Sequence, residues 1–370
     1  MLLKILIVHP QMALYGGAEL VIVRLAQYLM KQGHNVTVAT LSTDSHSEYK
    51  GIKFILPEKN RISYRLRGGL GSIYDIIQMQ IALQKLCSKY ANNFDIINVH
   101  NFPAIWAVPN HRKIVWMCNE VPDLWHNAKV NGLANKVFNI ARHFDSRIVK
   151  SKDTISIVAD NRCAEVFRKR YKFEPVIIHY GIDSFSAQHN PSTRQFRVIC
   201  TSMISPSKDQ LSILKAVKVL KKYIPNIKVI LSGYREPEHP YSIMLDKYTV
   251  DNKLDVEYIA MTDRNKLAGI YSCSNVAVFA GKGQGSWLSP FEQLSMGIPV
   301  IVTPNLTCSD LIFQQNIGIV TDDITGALLS VYNNYSKYKE QALKGKEFVL
   351  NELTWEKFGR KVEKILCSVN

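Results

Sequence analysis

The chain has 370 residues, 46% hydrophobic and 21% charged, which allows two globular cores and excludes the composition of a disordered protein. A formal net charge of +15 calls for an anionic partner, whether nucleic acid, an acidic membrane or a phosphorylated substrate, and does not choose among them. Seven scattered cysteines without a CxxC pair read as reduced, mostly buried thiols, and no apolar run approaches the ~20 residues of a membrane span, so a cytoplasmic protein is expected.

The apolar run Ile5 to His9 predicts a first buried strand. Gly16-Gly17-Ala18-Glu19 opens a helix with Val21, Ile22, Leu25, Ala26 and Leu29 on one face, Gly33 closes it, and a strand over 36–41 follows. This is a βαβ unit with glycines at its first turn, where free N–H groups favour an anion; a plain tight turn explains the glycines equally well. Residues 61–72 interleave Arg61, Arg65 and Arg67 with Tyr64, Leu66 and Leu70 ahead of an apolar helix. They fit either a solvated loop or contact with anionic headgroups. Strands over 96–99 and 114–117 end in His100-Asn101 and Cys118-Asn119-Glu120, at the carboxyl edge where open α/β sheets place ligands. A second basic helical segment spans 136–152, and strands over 155–158 and 176–179 finish this half.

The polar stretch after Asp183, with Pro191, reads as a linker. Alternation restarts with strands over 196–201, 227–231, 256–259 and 276–280 and helices over 210–223, 241–248 and 264–273. Two successive arrays predict two doubly wound α/β domains with a ligand cleft between them. Their expected limits are 1–183, completed by a terminal amphipathic helix in 352–370, and 184–351. Residues 281–303, GKGQGSWLSPFEQLSMGIPVIVT, form a Gly-rich loop, a short helix and a buried strand, an arrangement suited to a nucleotide. Ser289 is the expected cap, Pro290 suits the first turn, and Ser289-x-x-Glu292 has capping-box spacing.

The order of Gly16-Gly17-Ala18-Glu19, Tyr180-Gly181-Ile182-Asp183, Ser205-Pro206-Ser207-Lys208 and Phe291 to Val300 resembles the retaining glycosyltransferases of family four (glycosyl transferases group 1), over nearly the whole chain. The resemblance implies the GT-B fold, two Rossmann-like domains, and transfer with retention from a UDP, GDP or TDP sugar to a glycan or lipid-linked acceptor of cell-surface polysaccharide or glycolipid synthesis. It implies no metal, no nucleic acid and no cofactor beyond the donor substrate, and it fits peripheral contact with an anionic membrane.

By resemblance Glu292 holds the ribose hydroxyls, a task suited to an acceptor-only carboxylate. Gln284 stands where the family's first acid contacts the donor sugar, and Met203 where an arginine partners Lys208 on the diphosphate; Lys282 or Arg235 are possible replacements. Asn119 stands where a histidine contacts the sugar. Gly16, Gly17, Gly233, Ile259, Met261, Ser286 and Leu288 complete the donor side, with Lys208, Gln284 and Asn119 as catalytic candidates. His100, Glu120, Arg65 and Arg67 are acceptor-side candidates. The joint departures at 203, 284 and 119 also fit a non-catalytic relative that binds a nucleotide, glycan or partner. A nicotinamide dehydrogenase is disfavoured because GxGxxG is absent.

Overall fold

The computed structural model describes residues 1–12, 16–44, 46–58, 70–110, 113–119, 121–122, 133–185, 187–191, 194–282 and 287–369, with backbone alone at 70–73 and 133–141. The chain separates into two compact units, Met1–Gly181 with Trp355–Asn370, and Ile182–Thr354. The passages between units fall at 181/182 and 354/355, against the expected 183/184 and 351/352.

Unit 1 comprises β1 (Lys4–Val8), α1 (Gly17–Lys31), β2 (Asn35–Ala39), β3 (Lys53–Ile55), α2 (Leu70–Tyr90), β4 (Ile96–His100), β5 (Ile114–Met117), α3 (Leu133–Lys150), β6 (Thr154–Val158), α4 (Asn161–Tyr171) and β7 (Val176–Ile177). Its seven strands are all parallel, in the order β3-β2-β1-β4-β5-β6-β7. Parallel strands are covered on both faces, which is why Ile5, Leu6, Ile7 and Val8 are buried without alternation. The apolar stripe of α1 seals one face, with Val21, Ile22, Leu25, Ala26 and Leu29 all buried.

Unit 2 comprises β8 (Phe196–Thr201), α5 (Gln210–Leu220), β9 (Ile227–Ser232), α6 (Pro240–Asp251), β10 (Val256–Ile259), α7 (Arg264–Ser272), β11 (Val276–Phe279), α8 (Leu288–Ser295), β12 (Val300–Val302), α9 (Ser309–Gln314), β13 (Ile319–Val320), α10 (Ile324–Asn333) and α11 (Tyr335–Glu352). Its sheet is again parallel, in the order β10-β9-β8-β11-β12-β13. Strand order reverses between β1 and β4 in unit 1 and between β8 and β11 in unit 2, so each sheet has a crevice at the carboxyl ends of those strands.

The final helix, α12 (Trp355–Val369), returns to unit 1 and packs on α1. Glycine permits the approach: a Cβ on Gly359 would lie 2.3 Å from the Tyr28 ring. Glu363 then accepts from Tyr28 Oη at 2.9 Å and contacts His34 Nε2 at 3.0 Å.

Two local expectations differ. Helix α8 begins at Leu288 with Trp287 as its cap residue, not at Ser289, and the Glu292 carboxylate faces other partners, so the capping box does not form. Helix α4 was not anticipated, although Asp160 caps it by accepting from Cys163 N at 2.8 Å and Cys163, Ala164, Phe167 and Tyr171 form its buried stripe.

Candidate functional site

In unit 2 the loop after β8 meets the loop after β11 at the switch point. Lys282 N donates to Ser207 O at 3.0 Å, and Thr303 Oγ1 donates to Gly281 O at 2.8 Å. A Cβ on Gly281 would stand 2.5 Å from the Leu306 Cδ2 methyl, which would have to shift to admit it. Lys208 ends a 3-10 turn over Pro206–Lys208 and is half-buried, and Asp209 turns left-handed (φ 47°) into α5. The buried Asp209 carboxylate draws in Lys282, whose Nζ lies 3.1 Å away while 66% of its side chain stays exposed. Two lysines and the first turn of α5 thus gather at one crevice, a combination that attracts a polyanion.

Gly233, just after β9, borders the same crevice. Its N donates to Ile259 O at 3.0 Å, its φ is +144°, and a Cβ would meet Ser202 O at 2.3 Å, so only glycine serves here. Met203 and Met261, at the ends of β8 and β10, are 51% and 50% exposed and offer apolar surface beside it. Arg235 points elsewhere: it pairs with Asp246 and stacks 4.0 Å from the Tyr258 ring centroid. Of the two cations considered as replacements at the diphosphate, the structure brings only Lys282 to Lys208.

Glu292 lies on α8 and is 5% exposed. Its Oε1 accepts from Arg264 Nη2 at 2.8 Å and its Oε2 from Tyr271 Oη at 3.3 Å. Arg264 also reaches Asp183, Nε to Oδ2 at 2.9 Å. Burial alone lowers the Arg264 guanidinium, but Glu292 and Asp183 outweigh it and hold it above its usual range. Tyr271 is pushed well up, first by burial and then by the Glu292 charge. Leu288 is buried at the start of the same helix. Gln284 and Ser286 lie outside the described residues, as do Glu120, Arg65 and Arg67.

In unit 1 the backbone N of the exposed Gly16 donates to Glu19 Oε2 at 2.8 Å, which closes the start of α1 beside the exposed Gly17. Glu19 also approaches His9 Nε2 at 3.5 Å, and His9 is nearly buried. Asn119 is half-buried and engaged at both ends: its amide donates to Asn101 Oδ1, and its own Oδ1 accepts from Tyr180 Oη at 2.8 Å. His100 corrects its expectation as an acceptor contact. It is fully buried, with Nε2 2.8 Å from Asn98 Oδ1, and burial with the nearby His9 holds it neutral, so it presents no surface to an acceptor. The contact of Arg264 with Glu292, 28 residues apart, was not readable from spacing; an arginine at a helix start is ordinarily a surface residue.

Comparison with known proteins agrees with this fold. The family described as Glycosyltransferase Family 4 matches residues 15–184, and Glycosyl transferases group 1 matches residues 182–347. An uncharacterized glycosyltransferase of Methanocaldococcus jannaschii is 24% identical across 62% of this chain and 61% of that protein, so the match spans less than two thirds of the relative. The sucrose-phosphate synthase of Thermosynechococcus elongatus shares the fold with TM-score 0.79 at 15% identity, covering 99% of this chain and 98% of that one. Anabaena HepE in complex with UDP-glucose gives TM-score 0.77 at 16% identity, covering 99% and 100%. WaaG, a glycosyltransferase involved in lipopolysaccharide biosynthesis, gives 0.77 at 15%, covering 98% and 99%. With both halves matched in order over two Rossmann-like units, the chain belongs to the family 4, group 1 glycosyltransferases of the GT-B fold.

Proposed function

We propose that the chain transfers a sugar, with retention, from a nucleoside diphosphate sugar to a glycan or lipid-linked acceptor. The observation that carries this reading is the crevice at the β8/β11 switch, where Lys208, Lys282, Gly233 and the start of α5 come together, in the same unit as a buried carboxylate, Glu292, on α8. Lys208 and Lys282 neutralise the diphosphate as negative charge develops on the leaving group. Gly233 lets the backbone come close to it, and the chain around Ile259 and Met261 borders the base. Glu292 accepts from the ribose hydroxyls with the lone pairs that Arg264 and Tyr271 leave. The family resemblance assigns donor contacts to Asn119, Gly16 and Gly17 and sugar contacts to Gln284 and Ser286. In this reading the acceptor attacks from the face that the nucleotide leaves, and the donor phosphate takes its proton.

The structure of HepE with UDP-glucose supports a nucleotide sugar as donor, and the involvement of WaaG in lipopolysaccharide biosynthesis supports an acceptor of that general class. Exposed Arg142, Phe144, Arg147 and Lys150 along α3, together with the +15 charge, support contact of unit 1 with an anionic membrane. Among the described residues, no helix is long and apolar enough to cross one.

The test is transfer and donor hydrolysis across UDP, GDP and TDP sugars, with and without a chelator. Turnover that survives the chelator, with product of the donor's anomeric configuration, is expected; no turnover together with no nucleoside diphosphate binding refutes the proposal. Met203 favours a second reading, a nucleotide or glycan binder without catalysis, because half-exposed thioether stands at the crevice in place of a charge. A large gain in transfer on Met203→Arg with Gln284→Glu supports that alternative, and high activity in the unaltered protein removes it.

A further inference from the structure

Arg264 has no part in the reading above beyond its contact with Glu292, yet its surroundings are unusually specific. It opens α7 and turns beneath α8 instead of reaching into solvent, with 22% of its side chain exposed. Its Nη2 donates to Glu292 Oε1 at 2.8 Å and its Nε pairs with Asp183 Oδ2 at 2.9 Å. The guanidinium carbon lies 4.7 Å from the Phe185 ring centroid. Phe185 meets Tyr271 edge-on at 5.3 Å, and Tyr271 Oη returns to Glu292 Oε2 at 3.3 Å. The contacts close a ring, Glu292 to Arg264 to Phe185 to Tyr271 and back.

A carboxylate has about four lone-pair directions. Among the described residues two are taken, both inside the ring and one on each oxygen, which leaves two for hydroxyl donors. Those two lone pairs serve both ribose hydroxyls only when they are aimed at them, and a partner held at a fixed angle sets that aim. Only a planar fork can hold Glu292 and Asp183 at once while lying on an aromatic face; an ammonium group cannot do all three.

We infer that Arg264 is the positioning residue of the nucleotide site: it holds Glu292 as an oriented carboxylate, anchored through Asp183 and Phe185, and thereby sets recognition of the ribose hydroxyls. The inference rests on the proposed role of Glu292. Arg264 itself touches no substrate.

The experiment compares, by calorimetry, a ribonucleoside diphosphate with its 2′,3′-dideoxy counterpart, using whichever of UDP, GDP or ADP the wild type binds tightest. The wild type is expected to prefer the ribo form about tenfold or more, the equivalent of ~1.4 kcal/mol. Arg264→Gln and Arg264→Lys should bring the two forms to within about threefold while affinity for the dideoxy form stays within about threefold of wild type, since the lysines at the diphosphate are intact. A merely structural role predicts a different result, both affinities falling together with their ratio preserved, and that result overturns the inference. Asp183→Asn keeps the Arg264 contact with Glu292 and weakens only its anchor, so an intermediate ratio is expected even if the Arg264 variants do not fold; a wild-type ratio there also overturns it. If the wild type binds nucleotide but shows no ribo preference, the reading of Glu292 fails first and the inference falls with it, a result distinct from preference retained in the variants.

Discussion

Glu292→Gln separates the two roles its position suggests, one in holding unit 2 together and one in holding ribose. The substitution keeps shape and one acceptor oxygen but removes the charge opposite Arg264 Nη2, 2.8 Å away. Hydrogen bonds to charged groups contribute ~1.5–3 kcal/mol and neutral ones ~0.5–1.5 kcal/mol, so the unliganded protein should lose ~1–2 kcal/mol. For a domain the size of residues 182–354 this lowers the melting temperature by about 3–6 °C. Glu292→Ala is the poorer probe, because it strands a largely buried arginine with only Asp183 and costs ~3–5 kcal/mol on that account alone. The second role appears in the shift that a nucleoside diphosphate produces. At a ligand concentration of a hundred times Kd, binding stabilises the wild type by ~2.7 kcal/mol, and a Kd weakened tenfold cuts this to ~1.4 kcal/mol. The nucleotide-induced shift in a thermal melt should therefore roughly halve. A shift that stays at its wild-type size refutes ribose binding by Glu292, and an unliganded melting temperature that does not move refutes the buried ion pair.

Lys282→Met should weaken nucleoside diphosphate binding about ten- to a hundredfold at low salt and lower the unliganded melting temperature by no more than about 3 °C, because the pair with Asp209 is exposed on the lysine side. Titrations that match the wild type at low salt would remove Lys282 from the site. Gly233→Ala forces a Cβ to 2.3 Å from Ser202 O at a φ of +144°, for a loss of ~3 kcal/mol or more in urea unfolding; an unmoved midpoint contradicts the close approach. His189, which packs on Ser274 O, is held down to about 4, first by burial and then by Lys339 and Lys346 against its hydrogen bond to that carbonyl. Its folded value lies below the ordinary 6.5, so the unfolded chain binds the extra proton: stability from this group is complete above pH 6.5 and disappears as pH falls through 4. His189→Gln should flatten the change in denaturation midpoint between pH 7 and 4.5, and an equally steep change in the variant would assign it to other groups.

Central strands were legible because parallel strands are buried on both faces and appear as apolar runs; 114–117 and 196–201 match β5 and β8 end to end, and 256–259 matches the edge strand β10 despite its exposed Glu257. β3, with Lys53 exposed and Phe54 and Ile55 half-buried at the sheet edge, carries no such run and was missed. The approach of Lys282 to Lys208 was also hidden, because it depends on strand order: 74 residues of chain separate two strands that the sheet makes neighbours.

Glu292 shows why local signals lose to tertiary ones. Ser289-x-x-Glu292 has the spacing of a cap, and a cap contributes ~1 kcal/mol. A charge-assisted bond to Arg264 contributes ~1.5–3 kcal/mol, and forming a cap instead would leave a buried guanidinium with one carboxylate where it now has two. The helix therefore starts two residues earlier, with Trp287 and not Ser289 as its cap residue, and directs Glu292 inward. A motif that can be explained by a cap or by a ligand is, in this fold, first committed to a third partner, and Arg264 decides which of its lone pairs remain for chemistry.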